Sequence, residues 1–318
     1  LSDRIGQLML AAYILLFLLF LVLPLGALII KSVQDSKGHF IGLSNYALYL
    51  KEPALFQSFF NSLFIAIVST IFVVVFAFLF AYAITRTCMP FKGFFRLIAL
   101  IPLLSPSILA AIALVYWFGN KGILKALLFG HSIYGPIGII LASIYWTFPH
   151  ALMILSTSLS LSDSRLYEAA EVLKTSKLRA FLTITIPGAR YGIISTTFVV
   201  FTQVFTDFGV PKVIGGNYNV LATDIYKEVV GMQNFQMGAV ISLVLLIPAM
   251  VAFFIDQYSR KKQISLLTSR SVVFNPKKSW GVDMLMFGYC SIIAIIILLM
   301  IGMAQFGALV KFLSLIHI

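Results

Sequence analysis

SDSRLYEAAEVLKTSKLRAFLTITIP, Ser162–Pro187, is the stretch from which the rest of this chain is read. It is a polar island between two apolar runs, Ala126–Ser162 and Tyr191–Thr206. Asp163 or Ser164 suits the N-cap of a helix, because a short side-chain oxygen accepts from the exposed N–H groups there. Leu166, Glu168, Ala169, Ala170, Glu171 and Leu173 are good helix formers. Leu166, Ala169, Ala170 and Leu173 recur at three- and four-residue spacing and make one apolar face. Thr175-Ser176 reads as a turn, Lys177–Ile186 as a second short helix, and Pro187 as its end. The apolar face is too small to span a membrane and suits docking into a groove on a partner.

Working outward, the flanks are charge-free for long distances. Leu8–Ile30, Pro53–Thr85, Leu97–Asn120, Ala126–Ser162, Val229–Asp256 less its terminal acid, and Met284–Val310 each exceed the about 20 residues a spanning helix needs. Tyr191–Thr206 is shorter but continues through Asp207 into Phe208-Gly209-Val210, so seven spans are expected. The first apolar run is longer than a signal-peptide core and no small-residue cleavage site follows it. Composition agrees: 60% of the 318 residues are hydrophobic and 11% charged, with mean hydropathy +1.01. A soluble domain carries about 25% charged residues, so a water-soluble enzyme is excluded, as is disorder. With the N-terminus inside, fifteen Lys and Arg fall on inside segments and seven outside. That asymmetry accounts for the net charge of +12 without a nucleic-acid partner. Cys88 and Cys290 make no disulfide framework, and His39, His131, His150 and His317 stand too far apart for a metal cluster. No catalytic group, metal or cofactor is expected.

Glu168-Ala169-Ala170, nine residues between Lys174 and Ile184, then Ile184-Thr185-Ile186-Pro187 resembles the EAA loop of bacterial ABC-importer permeases. That pattern is Glu-Ala-Ala, three residues, Gly, nine residues, Ile, one residue, Leu-Pro. Lys174 stands where the pattern has Gly, and Ile186 where it has Leu. Gly42-Leu43-Ser44-Asn45-Tyr46, Asn61-Ser62-Leu63, Pro102 with Pro106, and Phe148-Pro149 are also similar to the family. The resemblance implies an all-α integral membrane fold, a six-helix permease unit in the bacterial plasma membrane. It also implies coupling of the loop to a dimer of separate cytoplasmic ATPase subunits and delivery of solute by a periplasmic binding protein. The coupling residues it names are Glu168, Ala169, Ala170, Lys174, Ile184, Ile186 and Pro187. The chain has no Gly followed by Lys, hence no phosphate-binding loop of its own.

Residues 1–255 then make one permease unit, 256–282 a cytoplasmic linker containing Asn275-Pro276, and 283–312 the first span of a second unit. Gly26-Ala27-Leu28-Ile29-Ile30-Lys31 and Gly307-Ala308-Leu309-Val310-Lys311 close the first and seventh spans alike, and Asp3 and Asp283 precede them at similar distances. The end, residues 313–318, resembles a translated sequencing-adapter scar and is set aside. Fused permease units resemble the iron(III) and 2-aminoethylphosphonate branch. Thr206-Asp207-Phe208-Gly209-Val210-Pro211, Asn219–Tyr226 and Gly238-Ala239-Val240 resemble the 2-aminoethylphosphonate permeases, and iron(III) is the alternative cargo. Asp207 is a structural cap or a pathway acid. Gln203 and Thr206 are interhelical hydrogen bonders or pathway residues. An ion-coupled secondary transporter is the competing class, but it needs paired ionisable groups near the midplane, and apart from Asp207 the spans lack them.

Overall fold

The structure, a computed structural model, describes residues 2–161, 164–265 and 276–309. Among these the regular elements are helices, with one isolated bridge between Gln34 and Phe40. In chain order they are α1 (Arg4–Ser32), α2 (Ser44–Lys51), α3 (Pro53–Arg86), α4 (Lys92–Leu100), α5 (Ser107–Phe118), α6 (Pro136–Ser160), α7 (Arg165–Val172), α8 (Lys177–Phe205), α9 (Gly209–Ile214), α10 (Leu221–Tyr226), α11 (Phe235–Ser265) and α12 (Trp280–Leu309). Six of them, α1, α3, α6, α8, α11 and α12, are long and apolar enough to cross a membrane. The fold is all-α and membranous, as the charge-free runs require.

Two expectations are corrected. The third span, Leu97–Asn120, is not one helix: α4 and α5 meet at 102°. The 3₁₀ turn Ile101–Leu104 joins them, with Pro102 inside it and Pro106 just before α5. Two prolines four residues apart each remove a backbone donor and disfavour helix in the residue before them, so the chain turns rather than kinks. By contrast Pro149 sits inside the unbroken α6. The second correction is at Pro187, which ends nothing. It stands in the first turn of a helical stretch entered through the π turn Phe181–Thr185, where the Ile186 N–H donates to the Phe181 carbonyl. Stepping the hydrogen-bond pattern by one residue absorbs the missing proline donor. The second arm of the hairpin is therefore the start of a 29-residue helix. Helix α11 also runs on through 256–265, the beginning of the expected linker. Ser162, Asp163, residues 266–275 and the end from 310 lie outside the described residues.

The chain divides into two compact units, Leu1–Asn61 with Val220–Pro248, and Ser62–Asn219 with Ala249–Ile318. In the first, the buried Asn45 amide donates to the carbonyls of Ser32 at 3.0 Å and Gln34 at 2.9 Å. The Tyr46 hydroxyl reaches Ser32 Oγ at 3.0 Å. These bonds satisfy backbone groups where α1 ends. They give the Asn45-Tyr46 pair a structural purpose.

In the second unit α6 is the central helix, with Leu152, Leu155 and Leu159 fully buried. Helix α8 packs along it. A Cβ on Gly192 would collide with the Ser158 side chain, so glycine sets that close approach. Helix α9 wedges against α5 and α6. Helix α12 lies on α4 and α5. Trp117 Nε1 of α5 donates to the Leu299 carbonyl at 3.3 Å, and Tyr289 Oη reaches α3 instead, donating to the Phe76 carbonyl at 2.8 Å.

Candidate functional site

The hairpin is held at both ends by backbone geometry. Helix α7 closes in a Schellman arrangement: the Thr175 N–H donates to the Ala170 carbonyl and the Lys174 N–H to the Glu171 carbonyl, both at 2.9 Å. Lys174 is the left-handed residue of that motif, with φ +49°. Ser176 starts α8, its Oγ accepting from the Arg179 N–H at 3.3 Å. Ser164 supplies no cap to α7; its hydroxyl instead meets the Glu168 carboxylate at 3.3 Å.

Two side chains that the sequence reading passed over anchor the hairpin to the helices. Tyr167 Oη pairs with Thr185 Oγ1 at 2.9 Å across the two arms. The Arg86 guanidinium lies 5.0 Å from the centre of the Tyr167 ring and donates to the Leu159 carbonyl at 2.5 Å. Ala170 is buried against this base. Glu168 and Ala169 remain exposed, as do Leu166, Val172, Leu173 and Leu178. Hence the expected apolar face splits: Ala170 packs inward, while Leu166 and Leu173 stay uncovered in this chain. Ile184 and Ile186 are half-buried and Pro187 exposed. Those three sit at and just after the π turn rather than in a separate helix.

A second attachment joins the hairpin to the segment before α12. Lys277 Nζ meets both carboxylate oxygens of Glu171, at 2.6 and 2.5 Å. Lys177 Nζ donates to Ser279 Oγ at 3.1 Å. The buried Asp283 fixes the same segment, accepting from the Cys88 N–H at 2.8 Å and the Ser279 N–H at 3.0 Å. In sequence, Asp283 carried only its likeness in position to Asp3.

The other candidates separate. Asp207 caps α9: its carboxylate accepts from the Val210 N–H at 3.0 Å, the Gly209 N–H at 3.3 Å and the Ser107 hydroxyl at 2.7 Å. A Cβ at Gly209 would press on Ser107 Oγ, so glycine lets the cap close. Gln203 and Thr206 line a different feature, a cavity of about 230 Å³ shared with Thr202, Phe253 and Asp256. The Thr206 hydroxyl is committed to the Thr202 carbonyl at 2.8 Å. Gln203 Oε1 is buried with no hydrogen-bond partner among the described residues. Asp256 is held by the Ser195 hydroxyl.

Apolar spanning helices, a span broken at two prolines and a polar hairpin docked on the bundle define a polytopic helical membrane protein. The chain belongs to the family described as binding-protein-dependent transport system inner membrane component, which matches residues 89–265, more than half its length. The ferric transport system permease protein FbpB of Actinobacillus pleuropneumoniae is 27% identical over 78% of this chain and 37% of its own length. A Haemophilus influenzae relative named for a ferric transport system is 29% identical over 81% of this chain and 42% of its own length. The chain thus spans less than half of those two relatives. The spermidine/putrescine transport system permease protein PotB of Escherichia coli is 26% identical over 64% of this chain and 78% of its own length. Among solved structures, a bacterial ABC transporter involved in import of the acidic polysaccharide alginate superposes with TM-score 0.64 at 16% identity, covering 84% of this chain and 97% of that one.

Proposed function

We propose that this chain is the permease part of an ATP-binding-cassette importer in a bacterial plasma membrane, with its N-terminus in the cytoplasm. The carrying observation is the hairpin. Glu168, Leu166 and Leu173 are exposed on an arm whose base is fixed by Arg86, Tyr167 and the Lys174 turn. A rigid base with an uncovered mixed apolar and acidic tip suits insertion into a groove of a cytoplasmic ATPase subunit. There Glu168 meets basic groups or helix N-terminal N–H groups. Closure of two such ATPases pulls on α8, because the second arm of the hairpin is continuous with that span. ATP hydrolysis belongs to the separate subunits, and a periplasmic binding protein delivers the solute. The family description and the solved alginate transporter in complex with its pentasaccharide-bound periplasmic protein support that partner. The excess of Lys and Arg on one set of loops supports the orientation.

For the cargo, the iron(III) reading has the broader support, since the ferric relatives align over more of this chain than the polyamine ones. The 2-aminoethylphosphonate reading rests on 206–211, 219–226 and 238–240. There Asp207 works as a cap, and Thr223 closes the start of α10 through the Val220 N–H at 3.1 Å. Residues 283–312 read as the first span of a second unit, supported by the greater length of the ferric relatives.

Glu168→Lys is the test of coupling. The variant should insert normally, lose co-purification with the ATPase and lose uptake; unchanged binding and uptake overturn the assignment. The cargo is settled by the ligand of the partner binding protein, iron(III) against 2-aminoethylphosphonate.

A further inference from the structure

At the end of the helices where the hairpin sits, α3 stops, α4 starts and α6 stops around one cleft of about 450 Å³. That volume falls within the range of small-ligand sites, about 300–1,000 Å³. Among the described residues its walls carry Arg86, Lys92 and Arg96 and no Asp or Glu. Arg86 is fixed by the Leu159 carbonyl and the Tyr167 ring. Lys92 and Arg96 have no hydrogen-bond or ion-pair partner among the described residues. The hydroxyls in the wall are not spare donors: Thr85 is committed to the Ala81 carbonyl at 2.6 Å, Ser156 and Thr157 to the Met153 carbonyl at 3.1 and 2.8 Å, and Ser160 to the Ser156 carbonyl at 2.8 Å. The uncommitted side-chain donors of the cleft are therefore cationic, and Lys92 and Gly93 at the start of α4 also line it. That nine-residue helix begins after Phe91 without a side-chain cap.

Three cations around one concavity repel one another unless an anion sits between them. Phosphate is the anion whose oxygens match guanidinium and ammonium donors together with a helix N-terminus. Beside Lys92 and Arg96, the side chains of Phe94 and Leu97 on the same short helix and of Phe91 just before it are exposed. In a bilayer such residues face acyl chains, and cations alternating with them lie at head-group level.

We propose that this cleft binds the phosphate of an acidic phospholipid head group, Lys92 and Arg96 holding the phosphate and Phe91, Phe94 and Leu97 the chains. The site is separate from the exposed docking residues of the hairpin, but shares Arg86 with its base. A lipid seated here stiffens the platform on which α7 rests.

The chain is reconstituted into phosphatidylcholine vesicles with and without phosphatidylglycerol, and retained lipid is measured by native mass spectrometry. Phosphatidylglycerol should be retained over phosphatidylcholine. Lys92→Gln with Arg96→Gln should weaken that retention roughly 10- to 30-fold, as expected for two head-group cations. The charge-keeping pair Lys92→Arg with Arg96→Lys should retain the lipid, which separates loss of charge from loss of fold. Lys261→Gln, an exposed cation on α11, should change retention less than about twofold. Millimolar inorganic phosphate should not displace the lipid; displacement by it assigns the cleft to a soluble phosphate and overturns the lipid. Equal retention by the glutamine pair, or equal loss in the charge-keeping pair or in Lys261→Gln, overturns the site.

Discussion

Lys174 holds φ at +49° inside a closed Schellman motif. A non-glycine residue in that region costs about 1 kcal/mol. A lysine at a helix C-terminus recovers about 0.3–1 kcal/mol from the dipole. The two nearly cancel, which explains how lysine is tolerated where the family pattern has glycine. Lys174→Gly should leave thermal stability, and affinity for the proposed ATPase partner, equal or slightly higher. Lys174→Val should lower both, since a β-branched side chain tolerates positive φ worst. A tolerated valine with a damaging glycine would show that the turn is not left-handed. The Glu-Ala-Ala spacing put a glycine position at 174, but a lysine there left open a left-handed residue or a turn built on Thr175 and Ser176; the structure takes the first. The anchoring by Arg86 and Tyr167 was not legible in sequence, since Arg86 lies far away along the chain and read only as an inside-loop cation.

At the scale of elements, the segment from Pro276 to Asp283 straps the hairpin to α12. Its exposed part contributes little to stability. Glu171 and Lys277 are 59% and 78% exposed, so Glu171→Gln should cost under about 1 kcal/mol and less in high salt. Asp283 is different. It is buried, and each carboxylate oxygen accepts a separate backbone N–H. Asp283→Asn offers only one oxygen and turns an amide N–H₂ toward a backbone donor, leaving an N–H unmet at about 1–3 kcal/mol. Thermal unfolding in detergent should rank Asp283→Asn well below Glu171→Gln; the reverse order would show that the strap is held by its surface pair. The α6–α8 seam admits a sharper test. Gly192→Ala forces a methyl onto Ser158 and should cost about 1–3 kcal/mol. Adding Ser158→Gly should recover at least about 0.5 kcal/mol of that loss in a double-mutant cycle.

For the whole molecule, the finding is where α12 lies. It packs on α4 and α5 of the unit Ser62–Asn219 with Ala249–Ile318. Cys290, Ala294, Ile297 and Met300 are buried there. In lipid no hydrophobic force drives helices together, so packing and interhelical hydrogen bonds to α5 and α3 at about 0.6 kcal/mol each hold α12 in place. A chain ending before Pro276 should lose at least about 1 kcal/mol from the Tyr289 and Trp117 bonds alone. It should also leave the α4–α5 elbow more open to protease, as limited proteolysis in detergent would report. An unchanged cleavage pattern would mean that the elbow is held by its prolines without α12.

The sequence by itself determined the membrane class, the existence of all but one of the spans as helices, and the position of the hairpin. Each of these depends on local physics: apolar length against bilayer thickness, and helix period. Tertiary structure alone decided whether a proline bends, breaks or passes through a helix. Pro102 and Pro106 turn the chain by 102°, Pro149 leaves α6 whole, and Pro187 is absorbed by a π turn. All of them lack the same donor; what differs is their setting, a 3₁₀ turn at Pro102, a helix start at Pro106, a helix interior at Pro149 and a π turn just before Pro187. It also decided which polar side chains are structural. The cap at Asp207 is made by N–H groups two and three residues on, but Ser107, one hundred residues away, closes over it, and no local pattern carries the distance between two helices.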